Sequence, residues 1–120
     1  MAYRQRLGSW GEQLAEAYLV QRGFEPLYRN FRTRYGEIDL VMKDLDTIVF
    51  VEVKTRTNLD FGNPEESITA KKRKRMLLSA EACLQVHPEW GGYYRIDVLA
   101  VNGSPADATP EIVWFENALG

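Results

Sequence analysis

The sequence predicts an α/β sandwich in which a mixed sheet carries helices on its faces. Two segments place apolar residues at helical spacing, and several short segments are rich in β-branched and aromatic residues. These segments follow one another as helix, three strands, helix, strand, the order α-β-β-β-α-β, with one further edge strand near the end.

Leu7, Trp10, Gly11, Leu14, Ala17 and Tyr18 form the apolar stripe of the first helix, with Ser9 and Glu12 spaced as a capping box. Gly23 suits its C-terminal cap. Residues 24–31, 38–42 and 47–55 read as three strands separated by polar or Gly-containing turns. The run Ile48, Val49, Phe50, Val51 lacks the alternation of a half-exposed strand, so the third strand belongs in the middle of the sheet, covered on both faces. Residues 58–66, with Gly62 and Pro64, form a loop. Thr69 then caps a helix that runs to about His87 and stops at Pro88. Residues 93–101 are a further strand, 102–109 a loop, and 111–115 the last edge strand.

The 120 residues fit one domain spanning 1–120, and the 45% apolar and 27% charged fractions are those of a chain that folds around a core. The longest apolar run has four residues, Ile48, Val49, Phe50 and Val51, which excludes a transmembrane helix. The polar start, followed by no apolar core of a signal peptide, makes the cytoplasm the expected location. One cysteine, Cys83, and one histidine, His87, build neither a disulfide nor a zinc site. Cys83 falls on an apolar stripe with Met76 and Ala80 and reads as a buried thiol, and His87 as a helix-end residue. Charge is uneven: residues 1–75 carry 14 basic and 11 acidic groups, a balance of +3, whereas residues 76–120 carry one and six, a balance of −5. An anionic partner for the first part is therefore expected.

The chemistry concentrates in Gly36, Glu37, Ile38, Asp39, Leu40, Val41 and in Phe50, Val51, Glu52, Val53, Lys54, Thr55. Strand period two puts Glu52 and Lys54 on one face and Val53 on the other. A four-residue hairpin loop of Asp44, Leu45, Asp46 and Thr47 pairs Lys43 with Ile48 and brings Asp39 opposite Glu52. Two carboxylates roughly 5 Å apart repel one another unless a proton or cation intervenes. Oxygen ligands without Cys or His neighbours suit a hard ion such as Mg²⁺. A lysine two residues from such a ligand can hold an attacking water and stabilise charge that develops on a phosphate. Glu12 borders the apolar arc of its helix and either reaches inward as a further ligand or closes the capping box on Ser9; Glu16 lies mid-way on the polar face and is expected to be solvated. Glu37 alternates onto the face of Asp39 as an auxiliary group. Asp97, in an apolar strand beside Arg95, is placed outside the site.

Glu12, Asp39, Glu52 and Lys54 resemble the PD-(D/E)xK nuclease signature, although Ile38 stands where that signature has proline. More closely, the chain resembles the YraN family of largely uncharacterised bacterial proteins, similar to Holliday-junction resolvases. The blocks that carry this are Gly8-Ser9-Trp10-Gly11-Glu12, Asn30-Phe31-Arg32, the two central strands through Arg56, and Arg95-Ile96-Asp97-Val98. The resemblance implies a restriction-endonuclease-like three-layer sandwich. It further implies Mg²⁺ or Mn²⁺ held by Asp39, Glu52, Glu12 and the Val53 main-chain carbonyl, with Lys54 aligning water for cleavage of DNA, including branched or structured DNA. The alternative is a non-catalytic nucleic-acid-binding module with a vestigial site.

Lys71, Lys72, Arg73, Lys74 and Arg75 lie near a helix N-terminus, where the macrodipole disfavours cations, so stability does not call for them and contact with a phosphate backbone does. Arg56 extends this patch, together with Arg32 and Arg34, and Tyr35 is placed to stack on an unpaired base. Trp10, Trp90 and Trp114 read as core or partner-facing anchors. The apolar edge strand would let two copies pair as a homodimer.

Overall fold

A computed structural model describes residues 3–57 and 68–119. Helix α1 covers Tyr3–Val20, so Ser9 lies inside it and cannot act as an N-cap, a role that requires non-helical backbone. The capping box on Ser9 and Glu12 is thereby ruled out. The other end is as expected: Gly23 takes φ +92°, its N–H donates to the Val20 carbonyl, and the Phe24 N–H donates to the Leu19 carbonyl. That pair of bonds is a Schellman closure, which needs a left-handed residue at its centre.

Strands β1 (Glu25–Thr33), β2 (Gly36–Asp44) and β3 (Thr47–Arg56) form an antiparallel meander. Lys43 pairs with Ile48 as expected, but Asp44 also pairs with Thr47, so the hairpin loop is two residues shorter than the sequence suggests while the register is the same. Helix α2 (Ala70–Val86) is capped by Thr69, whose hydroxyl accepts from the Lys72 N–H, and ends at His87. The chain then enters β4 (Tyr93–Asn102), parallel to β3, and β5 (Glu111–Phe115), antiparallel to β4. Strand order is β1-β2-β3-β4-β5, with β3 in the centre. The loop expected at 58–66 lies outside the described residues. No helix among the described residues is long and apolar enough to cross a membrane.

The two faces of the sheet carry separate apolar layers. Leu40, Met42, Val49, Val51 and Leu99 pack with Ala15 and Leu19 of α1; Val41, Ile48, Phe50 and Ile96 pack with Ala80 and Cys83 of α2. This is the three-layer α/β arrangement expected of a restriction-endonuclease-like fold. Each fully buried Leu, Ile or Val contributes about 1.5–3 kcal/mol, which is why the continuous apolar run of β3 occupies the centre.

Besides a register shift in β1 between Pro26 and Tyr28, strict alternation fails in the middle of β2. Ile38 and Val41 share the α2 side although they are three positions apart, while Leu40 and Met42 face α1. Across on β1, Tyr28 and Phe31 also share a face, with ring centroids 5.2 Å apart. Between each pair lies one irregular residue: Asp39 on β2 and Asn30 on β1, the latter at φ +53°. Asparagine tolerates that left-handed conformation better than most residues. The β2–β3 ladder also stops here, its last pair being Leu40↔Val51.

Candidate functional site

The irregularity at Asp39 is where the sequence-predicted residues meet. Because the ladder ends at Leu40↔Val51, the Val53 N–H has no main-chain acceptor on β2; Asp39 Oδ2 accepts it at 2.8 Å instead. A strand residue turns its N–H and C=O toward the same neighbour, so the Val53 carbonyl faces this opening too. Asp39 is flanked by Glu52, Glu12 and Glu37, and burial first, then the charge of Glu52, pushes its pKa up to about 8. The Val53 hydrogen bond acts in the opposite direction and is outweighed.

Glu52 and Lys54 share a face of β3, as period two requires, with Lys54 Nζ 3.3 Å from Glu52 Oε1. A second ammonium reaches the same oxygen from the facing helix: Lys72 Nζ stands 3.8 Å away with its side chain only 17% exposed. Burial, then proximity to Lys54, lowers the Lys72 pKa to about 8. The basic run therefore divides. Lys72, half-buried, and Arg75, one helical turn on and exposed, line a cleft with Glu52, whereas Lys71, Arg73 and Lys74 are exposed outside it.

Glu12 arrives from the other layer because α1 lies close against the end of β3. A Cβ on Gly11 would stand 1.9 Å from Thr55 Oγ1, so only glycine permits this approach. Glu12 Oε1 accepts from Asn30 Nδ2 at 3.0 Å, and the same amide donates to Glu37 Oε1 at 2.7 Å. Burial, with the charges of Glu37 and Glu52, raises the Glu12 pKa against the lowering effect of that hydrogen bond. Glu12, Val53, Lys54 and Arg56 line a second concavity of about 640 Å³. The Glu52–Lys54 pair stands between the two hollows.

Among the described residues no three Asp, Glu, His or Cys side chains already converge as a metal cage. The donor set nevertheless fits a hard cation: three carboxylates and one main-chain carbonyl, all oxygen, with the ionisation of Asp39 suppressed by burial and by the neighbouring carboxylates.

Two features escape a sequence reading. Asn30 bridges two acids only because its backbone is left-handed, and its place in an Asn-Phe-Arg block was the sole signal. Glu16 is not solvated: Arg29 Nη2 donates to its Oε1 at 2.8 Å and Arg29 Nε to its Oε2, leaving the Glu16 side chain 15% exposed. Arg29 sits on β1 beside the irregularity, a position no helical wheel reveals. Asp97, fully buried, accepts from Arg95 Nε, Trp114 Nε1 and the Asn117 N–H. His87 stacks on Trp90 with centroids 3.9 Å apart at the end of α2, and Cys83 is buried with its thiol pKa pushed up to about 11.

Comparison with known proteins places these residues in a family. The chain is 44% identical over 115 residues to a UPF0102 protein of Pseudomonas putida strain GB-1, covering 95% of this chain and 93% of the relative. It is 44% identical over 113 residues to one of Pseudomonas aeruginosa strain LESB58, covering 93% and 90%. A relative from Syntrophomonas wolfei is 46% identical over 95 residues, covering 79% and 83%. Residues 11–101, from the glycine under Glu12 to the end of the β4 core, match the uncharacterised protein family UPF0102, and the chain belongs to that YraN-type family.

Proposed function

We propose that the protein is a metal-dependent hydrolase of nucleic-acid phosphodiesters, acting on DNA. The observation that carries this reading is the half-buried acid Asp39 beside Glu52, where β2 and β3 part, with the Lys54 ammonium 3.3 Å from Glu52. Asp39, Glu52, Glu12 and the Val53 carbonyl would hold Mg²⁺ or Mn²⁺. When bound, such an ion supplies Lewis acidity toward a phosphoryl oxygen and lowers the pKa of a water ligand.

The chain's own residues have separable roles. Asp39 gives up its proton when a cation neutralises the acidic cluster. Lys54 orients the attacking water and meets charge developing on the phosphate. Lys72 adds a second positive group on the facing helix. Lys71, Arg73 and Lys74, with Arg56 beside the second hollow, hold the phosphate backbone, an attraction that weakens as salt rises.

One observation favours the rival reading, a nucleic-acid-binding module without catalysis: two ammonium groups already neutralise Glu52. Calorimetric titration of Mn²⁺ and Mg²⁺, run with cleavage assays on single-stranded, duplex and branched DNA, separates the two. A nuclease loses metal binding in Asp39→Ala and loses cleavage by at least about 100-fold in Lys54→Ala, the scale of one transition-state contact. DNA binding that persists in chelator, with no cleavage of any substrate, assigns the module instead.

A further inference from the structure

The cleft on the α2 side is more than the outer wall of the acidic site. It has a volume of about 290 Å³, near the lower end of the ~300–1,000 Å³ typical of small-ligand pockets. Its floor is apolar: Ile38 and Phe50, both core residues, with Met76 of α2. Lys72 and Arg75 line it from the helix, and the Arg75 methylenes lie over Gly36, where a Cβ would come within 3.4 Å of Arg75 Cδ. Tyr35, half-buried in the β1–β2 turn, completes the wall.

We infer that this cleft receives one unstacked nucleobase of a bound strand, next to the phosphate engaged at Glu52 and Lys54. The inference rests on the phosphodiester reading above and names the substrate class: DNA that offers an unpaired or extruded base. The composition of the walls decides between a base and a second phosphate. Glu37 and Glu52 line the cleft as well and offset Lys72 and Arg75, so its walls offer an anion no net positive charge, whereas a neutral ring meets the apolar floor and finds polar partners for its edge. Lys72 and Arg75 are then left to the flanking phosphates. The Arg34 guanidinium stands over one face of the Tyr35 ring, 5.0 Å from its centroid, and the other face is left for stacking, a contact tolerant of base identity. An unpaired base also costs less to place there than one taken from a duplex, which gives structured DNA its advantage.

The test uses the full chain in chelator, where cleavage does not interfere. A single-stranded oligodeoxynucleotide carrying one 2-aminopurine is titrated, then the same strand annealed to its complement, then free 2-aminopurine deoxynucleoside. The single strand is expected to bind more tightly than the duplex, with a clear change in 2-aminopurine fluorescence. Tyr35→Ala should weaken that binding roughly 5- to 160-fold, the size of one base–aromatic stack. Met76→Trp, which fills the cleft, should abolish the fluorescence change while backbone-driven, salt-sensitive binding persists. Thermal melts establish that both variants fold, and Tyr35→Ala carries the test if Met76→Trp does not. Equal binding of single strand and duplex, or a fluorescence change untouched in the folded variants, overturns the inference. So does free deoxynucleoside binding as tightly as the strand. Calorimetric metal binding is read separately: its loss with the fluorescence change intact sinks the hydrolase reading and leaves the cleft assignment standing.

Discussion

Asp39 and Asp97 are two acids set into the same sheet, and their surroundings are opposite. Asp97 accepts from the Arg95 guanidinium, from Trp114 Nε1 at 2.9 Å and from the Asn117 N–H at 2.8 Å. Asp39 accepts from the Val53 N–H at 2.8 Å and faces three further carboxylates. One acid is a closed knot that ties β4 to β5 and the segment after it. The other is charge left unmet. Burial by itself therefore does not separate the two acids; the presence or absence of a compensating cation does.

The largest expected effect breaks the knot. Asp97→Ala leaves Arg95, 17% exposed on its side chain, without its buried partner and strips acceptors from Trp114 and Asn117. A loss of about 3–5 kcal/mol in urea unfolding is expected, as for other buried pairs cut on one side. Metal binding by the surviving folded fraction should be unchanged. A loss below about 1 kcal/mol would mean that Asp97 is no structural knot.

Asp39→Asn is expected to act with the opposite sign. The folded-state pKa of Asp39, about 8, lies above its ordinary value of 3.8, so between those limits the native state keeps a proton that the unfolded chain has released. Stability of the metal-free protein should therefore fall as pH rises from about 4 to about 8, by at most about 1.4 kcal/mol per pH unit, and level off beyond. The Asn variant retains an acceptor for the Val53 N–H and should lack this slope, so it becomes more stable than the wild type at pH 9. Urea midpoints across that range check it, and identical slopes in both proteins would refute the contrast between the two acids. Added Mg²⁺ should restore stability to the wild type alone.

A smaller effect tests how the site is assembled. Gly11→Ala drives a methyl into Thr55 Oγ1 and must push α1 away from β3, at a cost of about 1–3 kcal/mol. Because Glu12 follows directly, metal affinity should fall with stability, and Thr55→Ala in the same chain should recover much of both. Recovery of stability without metal affinity would remove Glu12 from the ligand set.

The parts legible in the sequence were those governed by local rules. The Gly23 cap, the Thr69 cap, the hairpin register through Lys43 and Ile48 and the central place of β3 all follow from spacing and composition. Asp39, Glu52 and Lys54 were legible because charge inside two apolar strands is costly. What could not be read depends on the fold as a whole. The start of α1 at Tyr3 moved Ser9 inside the helix, the left-handed backbone of Asn30 brought its amide between Glu12 and Glu37, and packing of α2 turned Lys72 inward while its neighbours stayed in solvent.

The same contrast recurs, at lower stakes, on successive turns of α1. Glu16 is paired with Arg29, whose pull lowers the Glu16 pKa, whereas burial and neighbouring acids raise that of Glu12. Arg29 is 52% exposed, so solvent screens the pair, and Glu16→Ala should cost no more than about 0.2–1 kcal/mol. Glu12→Ala should be neutral or stabilising in the metal-free protein near pH 8, because it removes a charge that Glu37 and Glu52 repel, yet it should weaken Mn²⁺ binding. A structural role for Glu12 predicts the reverse pattern, with stability lost and metal affinity kept. Two glutamates four residues apart thus offer a matched pair in which stability and metal binding move in opposite directions if one acid serves the fold and the other the site.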